Sequence, residues 1–306
     1  MPTPWTRPLR GIVVPLVTPL IEPNRLDLVG LERLIEHVIK GGVSAIFVLG
    51  TTGEGPLLDE PLRYELTSRV CLQVRGRVPV LVGITDTVLA SAVRLTAHAA
   101  EAGASAVVTS APYYLKPGQP ELARFVMTLA DRLALPLFLY NMPGHTRVTF
   151  GADVIRQALQ HPNIIGLKDS SGEMGYIHAA RRQIAPRPDW SLLVGPEHLT
   201  AETVLFGGHG GVNGGANAWP ELFVNLYQAA SCGDVSRTNT LQQQLLDFGR
   251  IYQIGQHESA VIKGLKCALA CLGICSDVMT EPFDRFQERE RSEVMTILKS
   301  CGLLKS

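Results

Sequence analysis

The hydrophobic positions along this chain form short apolar runs that alternate with longer stretches of mixed hydrophobic and polar residues. Each apolar run is rich in Val, Ile and Leu and is closed by residues that favour turns, a pattern that predicts buried β-strands. Because the runs recur along most of the chain, we expect one large sheet of similar strands. The predicted strands are residues 11–17, 44–49, 79–84, 105–109, 137–141, 164–168, 191–195 and 209–213.

The stretches between the predicted strands have the spacing of amphipathic helices. In residues 28–40, for example, Leu31, Leu34 and Val38 recur at helical intervals. Eight strands that alternate with helices predict an α/β protein with a (β/α)8 TIM barrel fold. Similar helical patterns occupy residues 88–102, 119–133, 152–160 and 199–206.

A doubly wound open sheet is the main alternative to a barrel. That fold usually carries a glycine fingerprint after its first strand. Here the first predicted strand is followed by Thr18-Pro19-Leu20, and the chain contains neither a Gly-x-Gly-x-x-Gly sequence nor a Walker sequence. The sequence therefore favours the closed barrel.

The strand pattern stops after about residue 218, and only helical patterns follow. No linker separates these helices from the barrel, so we predict an appendage rather than an independent domain. The predicted division is a barrel over residues 1–225, which carries the active site, and a C-terminal helical extension over residues 226–306, packed on the barrel. The predicted C-terminal helices are residues 220–231, 235–254, 259–272 and 282–298.

Composition and charge exclude several classes of partner. The chain has 306 residues, of which 46% are hydrophobic, and its 28 basic and 28 acidic residues give a formal net charge of zero. With no basic stripe, nucleic acid and anionic membranes are poor candidates. No secretory signal and no apolar run long enough to cross a membrane is evident, and six cysteines in this length do not suggest a disulfide framework. These features predict a cytoplasmic protein.

The residue that carries most information about chemistry is Lys168. It ends the apolar run 164–168, and Asp169 follows. Burial at the mouth of a strand disfavours the ammonium form of a lysine, and a neutral amine is a nucleophile that forms a Schiff base with a carbonyl carbon. A lysine just past a strand end is by itself more often an ordinary surface residue. The interpretation therefore depends on its companions.

Polar residues with suitable chemistry follow the other predicted strands. In a barrel, catalytic residues lie at the C-terminal ends of the strands. Tyr140 lies at the end of the predicted strand 137–141, and Lys168 ends the next strand along the chain. The phenol of Tyr140 is suited to shuttle protons for imine and enamine chemistry. Thr51 and Thr52 follow the second strand among glycines whose backbone N–H groups can hold an anion. Each segment alone could be a turn or core packing, but together they indicate a site for a small 2-oxo acid.

These segments resemble the dihydrodipicolinate synthase and N-acetylneuraminate lyase family of pyruvate-dependent class I aldolases. The resemblance covers nearly the whole chain, and five matching segments in the same order are specific for the family rather than for one member. The matching segments are Gly50-Thr51-Thr52-Gly53-Glu54, Tyr113-Tyr114, Tyr140-Asn141-Met142-Pro143, Ile164-Ile165-Gly166-Leu167-Lys168 and Gly207-Gly208-His209-Gly210.

The resemblance implies a role for each candidate residue. Lys168 would form the Schiff base with pyruvate, and Tyr140 would donate and accept protons in a relay with Thr51 and Tyr114. In the synthase branch the tyrosine at the position of Tyr114 comes from a neighbouring subunit, which implies a homodimer or homotetramer.

The resemblance also implies a set of substrate-binding residues. Thr52 would bind the pyruvate carboxylate, and Val212 would contact pyruvate through its backbone. Gly50 and Gly195, at the ends of the second and seventh predicted strands, are further candidates.

One position departs from the synthase branch. Where that branch usually has an arginine that grips the carboxylate of the second substrate, this chain has His145, which lacks the bidentate guanidinium fork. The pyruvate half of the site is therefore predicted to be intact, while the aldehyde stays open. The alternatives are a 2-keto-3-deoxy sugar-acid aldolase or dehydratase, an N-acetylneuraminate lyase-like enzyme, and a non-catalytic sensor of 2-oxo acids.

We predict no metal and no organic cofactor. The histidines form no His-Glu-x-x-His pair, and Cys267, Cys271 and Cys275 lack the paired spacing of zinc sites. The expected partners are a small 2-oxo acid, an aldehyde and further copies of the chain.

Overall fold

Eight parallel strands close into a barrel in the computed structural model, which describes residues 5–305. Each barrel strand pairs with the barrel strands that come before and after it along the chain, and the first barrel strand pairs with the last. This is the (β/α)8 barrel that the sequence predicts. A two-stranded antiparallel hairpin precedes the first helix. The barrel strands are β1 (Gly11–Pro15), β4 (Ala45–Val48), β5 (Val80–Gly83), β6 (Ala106–Ser110), β7 (Leu137–Asn141), β8 (Ile164–Asp169), β9 (Ser191–Val194) and β10 (Gly210–Val212), and the hairpin strands are β2 (Leu20–Glu22) and β3 (Arg25–Leu26).

Helices follow the barrel strands and form the outer layer. Several start at a cap that the sequence supplies: Asp27 and Asp59, for example, accept hydrogen bonds from the first turns of the helices that follow them. The helices are α1 (Leu28–Lys40), α2 (Glu60–Val74), α3 (Leu89–Ala102), α4 (Gln119–Ala130), α5 (Pro143–Thr146), α6 (Ala152–Ala158), α7 (Met174–Ile184), α8 (Thr200–Leu205), α9 (Pro220–Ser231), α10 (Val235–Phe248), α11 (Ala260–Cys271) and α12 (Glu288–Ser300).

Buried side chains form two separate layers around the strands. Within β7, Leu137 and Leu139 face the helices, whereas Phe138 and Tyr140 belong to a second cluster that draws residues from every barrel strand and fills the interior. The interior is thus a packed core, and only the ends of the strands leave room for a ligand. At β10 the packing is very close, since a Cβ on Gly210 would overlap the backbone of Gly11.

The C-terminal helices α10, α11 and α12 pack against the barrel through buried residues such as Leu245, Leu269 and Val294. The division at residue 225 falls inside α9 and stays a prediction. Residues 1–4 and 306 lie outside the described residues. They include both outer limits of the predicted division and the start of the chain, where a secretory signal would be sought. Among residues 5–305, no helix combines the length and apolar character needed to span a bilayer.

Candidate active site

Lys168 and Tyr140 face each other at the C-terminal mouth of the barrel. The two residues are direct partners in the parallel ladder between β7 and β8, and both are 6% exposed. The Lys168 Nζ atom lies 3.9 Å from the centre of the Tyr140 ring and 5.3 Å from the centre of the Phe47 ring. The amine is therefore buried between aromatic faces, with a phenol on the neighbouring strand.

The phenol of Tyr140 is tuned by its surroundings. Burial is the largest influence and acts to raise the pKa of Tyr140, but it is outweighed by the charge of Lys168 and by hydrogen bonding to Thr51, Ser170 and Lys168. The net effect is a pKa below the ordinary value of 10. A phenol that ionises more readily exchanges protons more easily near neutral pH, which is what a proton shuttle requires.

The loop after β4 brings Thr51 to the tyrosine. The Thr51 Oγ1 atom lies 3.4 Å from the Tyr140 hydroxyl, a long hydrogen bond. The loop is tightly folded: Leu49 and Glu54 both have left-handed backbone conformations, with φ of 59° and 57°. Such conformations are uncommon for residues other than glycine, and strain of this kind clusters at functional sites.

A buried polar network supports the strand ends behind Lys168. The Asn141 amide donates a 2.7 Å hydrogen bond to Asp169, and the Ser171 hydroxyl donates another at 2.8 Å. Burial raises the pKa of Asp169 above its ordinary value, while these hydrogen bonds act against the rise. The network joins the ends of β7 and β8, and so fixes the relative position of the tyrosine and the lysine.

Beyond β8, the wall of the mouth continues with the ends of β9 and β10. Val212 is 4% exposed and belongs to the same interior cluster as Tyr140. Gly195 follows β9, and a Cβ there would meet the Ser170 hydroxyl, which would have to move. A Cβ on Gly214 would lie 3.7 Å from the Thr52 hydroxyl, which places Thr52 beside the segment after β10. Thr51, Thr52, Val212 and Gly195 therefore surround the mouth together with Lys168.

Glu197 is a further ionisable group beside this wall. Its Oε1 atom accepts hydrogen bonds from the Gly215 backbone N–H at 2.6 Å and from the Tyr252 hydroxyl at 3.1 Å, and it would lie 3.5 Å from a Cβ on Gly214. Burial raises the pKa of Glu197 from 4.5 to about 7, although the hydrogen bonds act in the opposite direction. A carboxyl group that titrates near neutral pH thus borders the same glycine as Thr52.

Two predicted site residues lie apart from this group. Tyr114 is 93% exposed and has a left-handed backbone, with φ of 74°, and among the described residues it has no side-chain hydrogen bond. His145 lies on the short helix α5 with its side chain 43% exposed, and its Nδ1 atom lies 4.0 Å from Oε2 of Glu258. The single chain therefore does not bring Tyr114 or His145 into contact with Lys168, and their roles stay predictions.

Several residues of the site were not assigned a role from sequence. Glu197 follows the seventh barrel strand, and this position could have identified it as a site residue. Asn141 and Asp169 each adjoin a predicted catalytic residue, and their polar side chains at the ends of apolar runs were a signal of the same kind. Tyr252 lies in the C-terminal extension, 55 residues from Glu197, and no local pattern connects the two.

The site shows no metal centre in the part of the chain that the structure describes. No group of three or more His, Cys, Asp or Glu residues there is arranged to hold a metal ion. The side chains described at the mouth supply an amine, a phenol, hydroxyls and carboxyl groups.

Comparison with known proteins gives the class of this arrangement. The structure of dihydrodipicolinate synthase from the commensal bacterium Bacteroides thetaiotaomicron is similar over 97% of this chain and 100% of that chain, with 49% identity and a TM-score of 0.94. A prophage protein of the dihydrodipicolinic acid synthase family from Escherichia coli K12, solved in complex with pyruvate, has 29% identity and a TM-score of 0.91 over 97% and 100% of the two chains. A probable 2-dehydro-3-deoxy-D-pentonate aldolase of Escherichia coli (strain K12) is 30% identical over 96% of this chain and 98% of its own length.

The chain is thus a TIM-barrel enzyme of the aldolase and lyase class. A model of the dihydrodipicolinate synthetase family matches residues 8–301. This protein belongs to that family, and the resemblance stated from its sequence motifs is confirmed.

Proposed function

We propose that this protein is a pyruvate-dependent aldolase that works through a Schiff base on Lys168. The observation that supports this most directly is the buried Lys168 amine, 3.9 Å from the Tyr140 ring, on the adjacent strand of the ladder. A buried amine beside a phenol with a lowered pKa has both the nucleophile and the proton shuttle that imine chemistry needs.

The reaction follows from these groups. The Lys168 amine attacks the carbonyl carbon of pyruvate, and the resulting carbinolamine loses water to give the imine. Tyr140 supplies and removes the protons of these steps, with Thr51 at 3.4 Å as its relay partner. Loss of a proton from the methyl carbon gives an enamine, which attacks an aldehyde carbon while the aldehyde oxygen takes up a proton. Water then releases the product and restores the amine.

The remaining predicted residues take positions in this scheme. Thr52 and the backbone of its loop would hold the pyruvate carboxylate, and Val212, Gly50 and Gly195 would border the same small acid. Tyr114 would complete the relay from a neighbouring copy in a homodimer or homotetramer, a proposal that agrees with its 93% exposure in the single chain. The scheme uses no metal and no organic cofactor.

Cleavage of a 2-keto-3-deoxy sugar acid is the second candidate. One feature favours it over condensation with aspartate semialdehyde: His145 stands where the synthase branch is expected to have an arginine. A histidine lacks the bidentate guanidinium fork with which an arginine would hold the carboxylate of aspartate semialdehyde. The similarity to the probable pentonate aldolase supports this candidate.

The first test is trapping of the imine. The protein is incubated with pyruvate and reduced with borohydride, and its intact mass is measured by mass spectrometry. Lys168→Ala is treated in the same way, and Lys40→Ala, at an exposed position, is the control. We expect one reduced pyruvate adduct on the wild type and on the control, and none on Lys168→Ala. Absence of an adduct on the wild type would refute the proposal.

The second test separates the candidates. Exchange of the pyruvate methyl hydrogens with solvent deuterium should occur in the wild type, because the enamine requires it, whereas a non-catalytic sensor would show none. Aspartate semialdehyde and small hydroxyaldehydes are then compared as acceptors. Faster turnover of hydroxyaldehydes would establish the sugar-acid activity, and faster turnover of aspartate semialdehyde would establish the synthase activity.

A further inference from the structure

A buried ion pair connects the C-terminal helices to the loop that carries Thr51 and Thr52. The Lys266 Nζ atom of α11 lies 2.6 Å from Oε1 of Glu54, and both side chains are 0% exposed. The second carboxylate oxygen of Glu54 accepts hydrogen bonds from the backbone N–H and the hydroxyl of Thr280, at 2.8 and 2.7 Å. Both oxygens of this carboxylate are therefore held by residues more than 200 positions away in sequence.

Glu54 is also the residue that closes the catalytic loop. Its backbone N–H donates to the Thr51 carbonyl at 3.0 Å, and the next residue, Gly55, donates to the Gly50 carbonyl at 3.1 Å. The backbone of Glu54 is left-handed, with φ of 57°, a conformation that persists only when the surroundings enforce it. The position of the Glu54 side chain therefore sets the backbone path of Thr51 and Thr52.

Stability alone is a weak explanation for this pair. Removing two charges from water is costly, and replacing a buried ion pair by apolar residues of similar volume is often neutral or stabilising. A buried pair whose three hydrogen bonds all converge on one carboxylate does, however, fix a single geometry. That geometry is the one that places the Thr51 hydroxyl 3.4 Å from Tyr140 and Thr52 beside the segment after β10.

We propose that Lys266 is a positioning residue for the reaction, acting through Glu54 to hold the loop of Thr51 and Thr52 in its productive conformation. The proposal rests on the proposed pyruvate chemistry. It makes α11 part of the catalytic apparatus although Lys266 touches no reacting atom. Because Thr52 is the proposed carboxylate ligand, displacement of the loop should weaken pyruvate binding first.

The kinetic test compares Lys266→Met and Glu54→Gln with the wild type. Glu54→Gln keeps the shape of the side chain and an acceptor oxygen. The double variant Lys266→Met/Glu54→Gln leaves no uncompensated buried charge, so it provides a folded variant even if the single changes prevent folding. Lys263→Met is the matched control, since Lys263 lies one turn earlier on α11 and is only half-buried. Borohydride-trapped adduct is measured against pyruvate concentration for each protein.

We expect the pyruvate concentration for half-maximal trapping to rise about tenfold or more in both variants, because hydrogen bonds to the charged carboxylate of pyruvate weaken. The yield at saturating pyruvate should stay near one adduct per chain. If the ion pair were only structural, the variants would show the reverse. Part of each variant would be unfolded, so the adduct yield would fall while the pyruvate concentration for half-maximal trapping stayed unchanged. That reverse pattern, or no change at all, would overturn the proposal.

A second readout does not depend on pyruvate. Hydrogen–deuterium exchange of peptides covering residues 50–54 should be faster in Lys266→Met and Glu54→Gln than in the wild type, and unchanged in Lys263→Met. Unchanged exchange in both variants would refute the positioning role even if the wild type is active. Absence of an adduct on the wild type would instead refute the proposed pyruvate chemistry, so the two failures are distinguishable.

Discussion

Glu197→Gln should change how the stability of the protein depends on pH. Burial raises the pKa of Glu197 from 4.5 to about 7, so the folded state binds this proton more tightly than the unfolded state between these values. The wild type therefore loses stability as the pH rises through this window and stays at the lower level above it. The full difference corresponds to about 3 kcal/mol, and solvent screening of a partly exposed group reduces it to roughly 1–2 kcal/mol. Glutamine has no such proton and removes the loss.

Urea unfolding at about pH 5 and about pH 8 measures this effect. The stability difference between Glu197→Gln and the wild type should move in favour of the variant by roughly 1–2 kcal/mol on going to the higher pH. Because only the change with pH is compared, any fixed cost of placing an amide beside Tyr252 cancels. Glu32→Gln, at an exposed position of α1, is the control and should show no such change. A pH-independent difference for Glu197→Gln would show that this carboxyl group is not destabilised by burial.

Three further experiments test the site. Tyr140→Phe should slow exchange of the pyruvate methyl hydrogens by about 10²–10⁴-fold, because the general acid–base group is lost. Tyr64→Phe, which removes a hydroxyl bonded to Glu60 at the surface of α2, is the control and should leave exchange intact. In the second experiment, inactive Tyr114→Phe is mixed with inactive Lys168→Ala and the subunits are allowed to exchange. If Tyr114 acts on a neighbouring copy in a dimer, roughly a quarter of the wild-type activity should return, because about half of the dimers are mixed and each has one complete site. If Tyr114 acts within its own chain, no activity should return. His145→Arg should lower KM for aspartate semialdehyde and leave pyruvate trapping unchanged; an unaltered KM would show that this position does not contact the second substrate.

The barrel was predictable because its strands are short apolar runs that are buried on both faces. Parallel strands covered by helices need no polar face, so the sequence shows them as continuous hydrophobic segments. Helix α2 (Glu60–Val74) was not located, since its buried face includes Thr67 while Leu72 on the other face is 66% exposed. The hairpin of β2 and β3 was also missed, because strands of three and two residues carry too few positions to show an alternating pattern.

The site was predictable only where its residues stand at strand ends. Lys168, Tyr140 and Thr51 meet in the structure because parallel strands deliver their C-terminal residues to one mouth. The contact between Glu54 and Lys266 was not predictable, since 212 residues separate the two and nothing local marks either as buried. Contacts of this kind are decided by how the C-terminal helices dock, which depends on the whole tertiary structure.

The pairing of Tyr140 with Lys168 in the backbone ladder has a consequence for how such an enzyme can diverge. The two residues are held by the hydrogen bonds of β7 and β8, whereas His145 and Glu197 lie in segments beyond the strand ends. Insertions or substitutions in those segments change what approaches the mouth without moving the amine or the phenol. A few loop mutations can therefore change which molecules approach the mouth, while β7 and β8 keep the amine and the phenol in the same place.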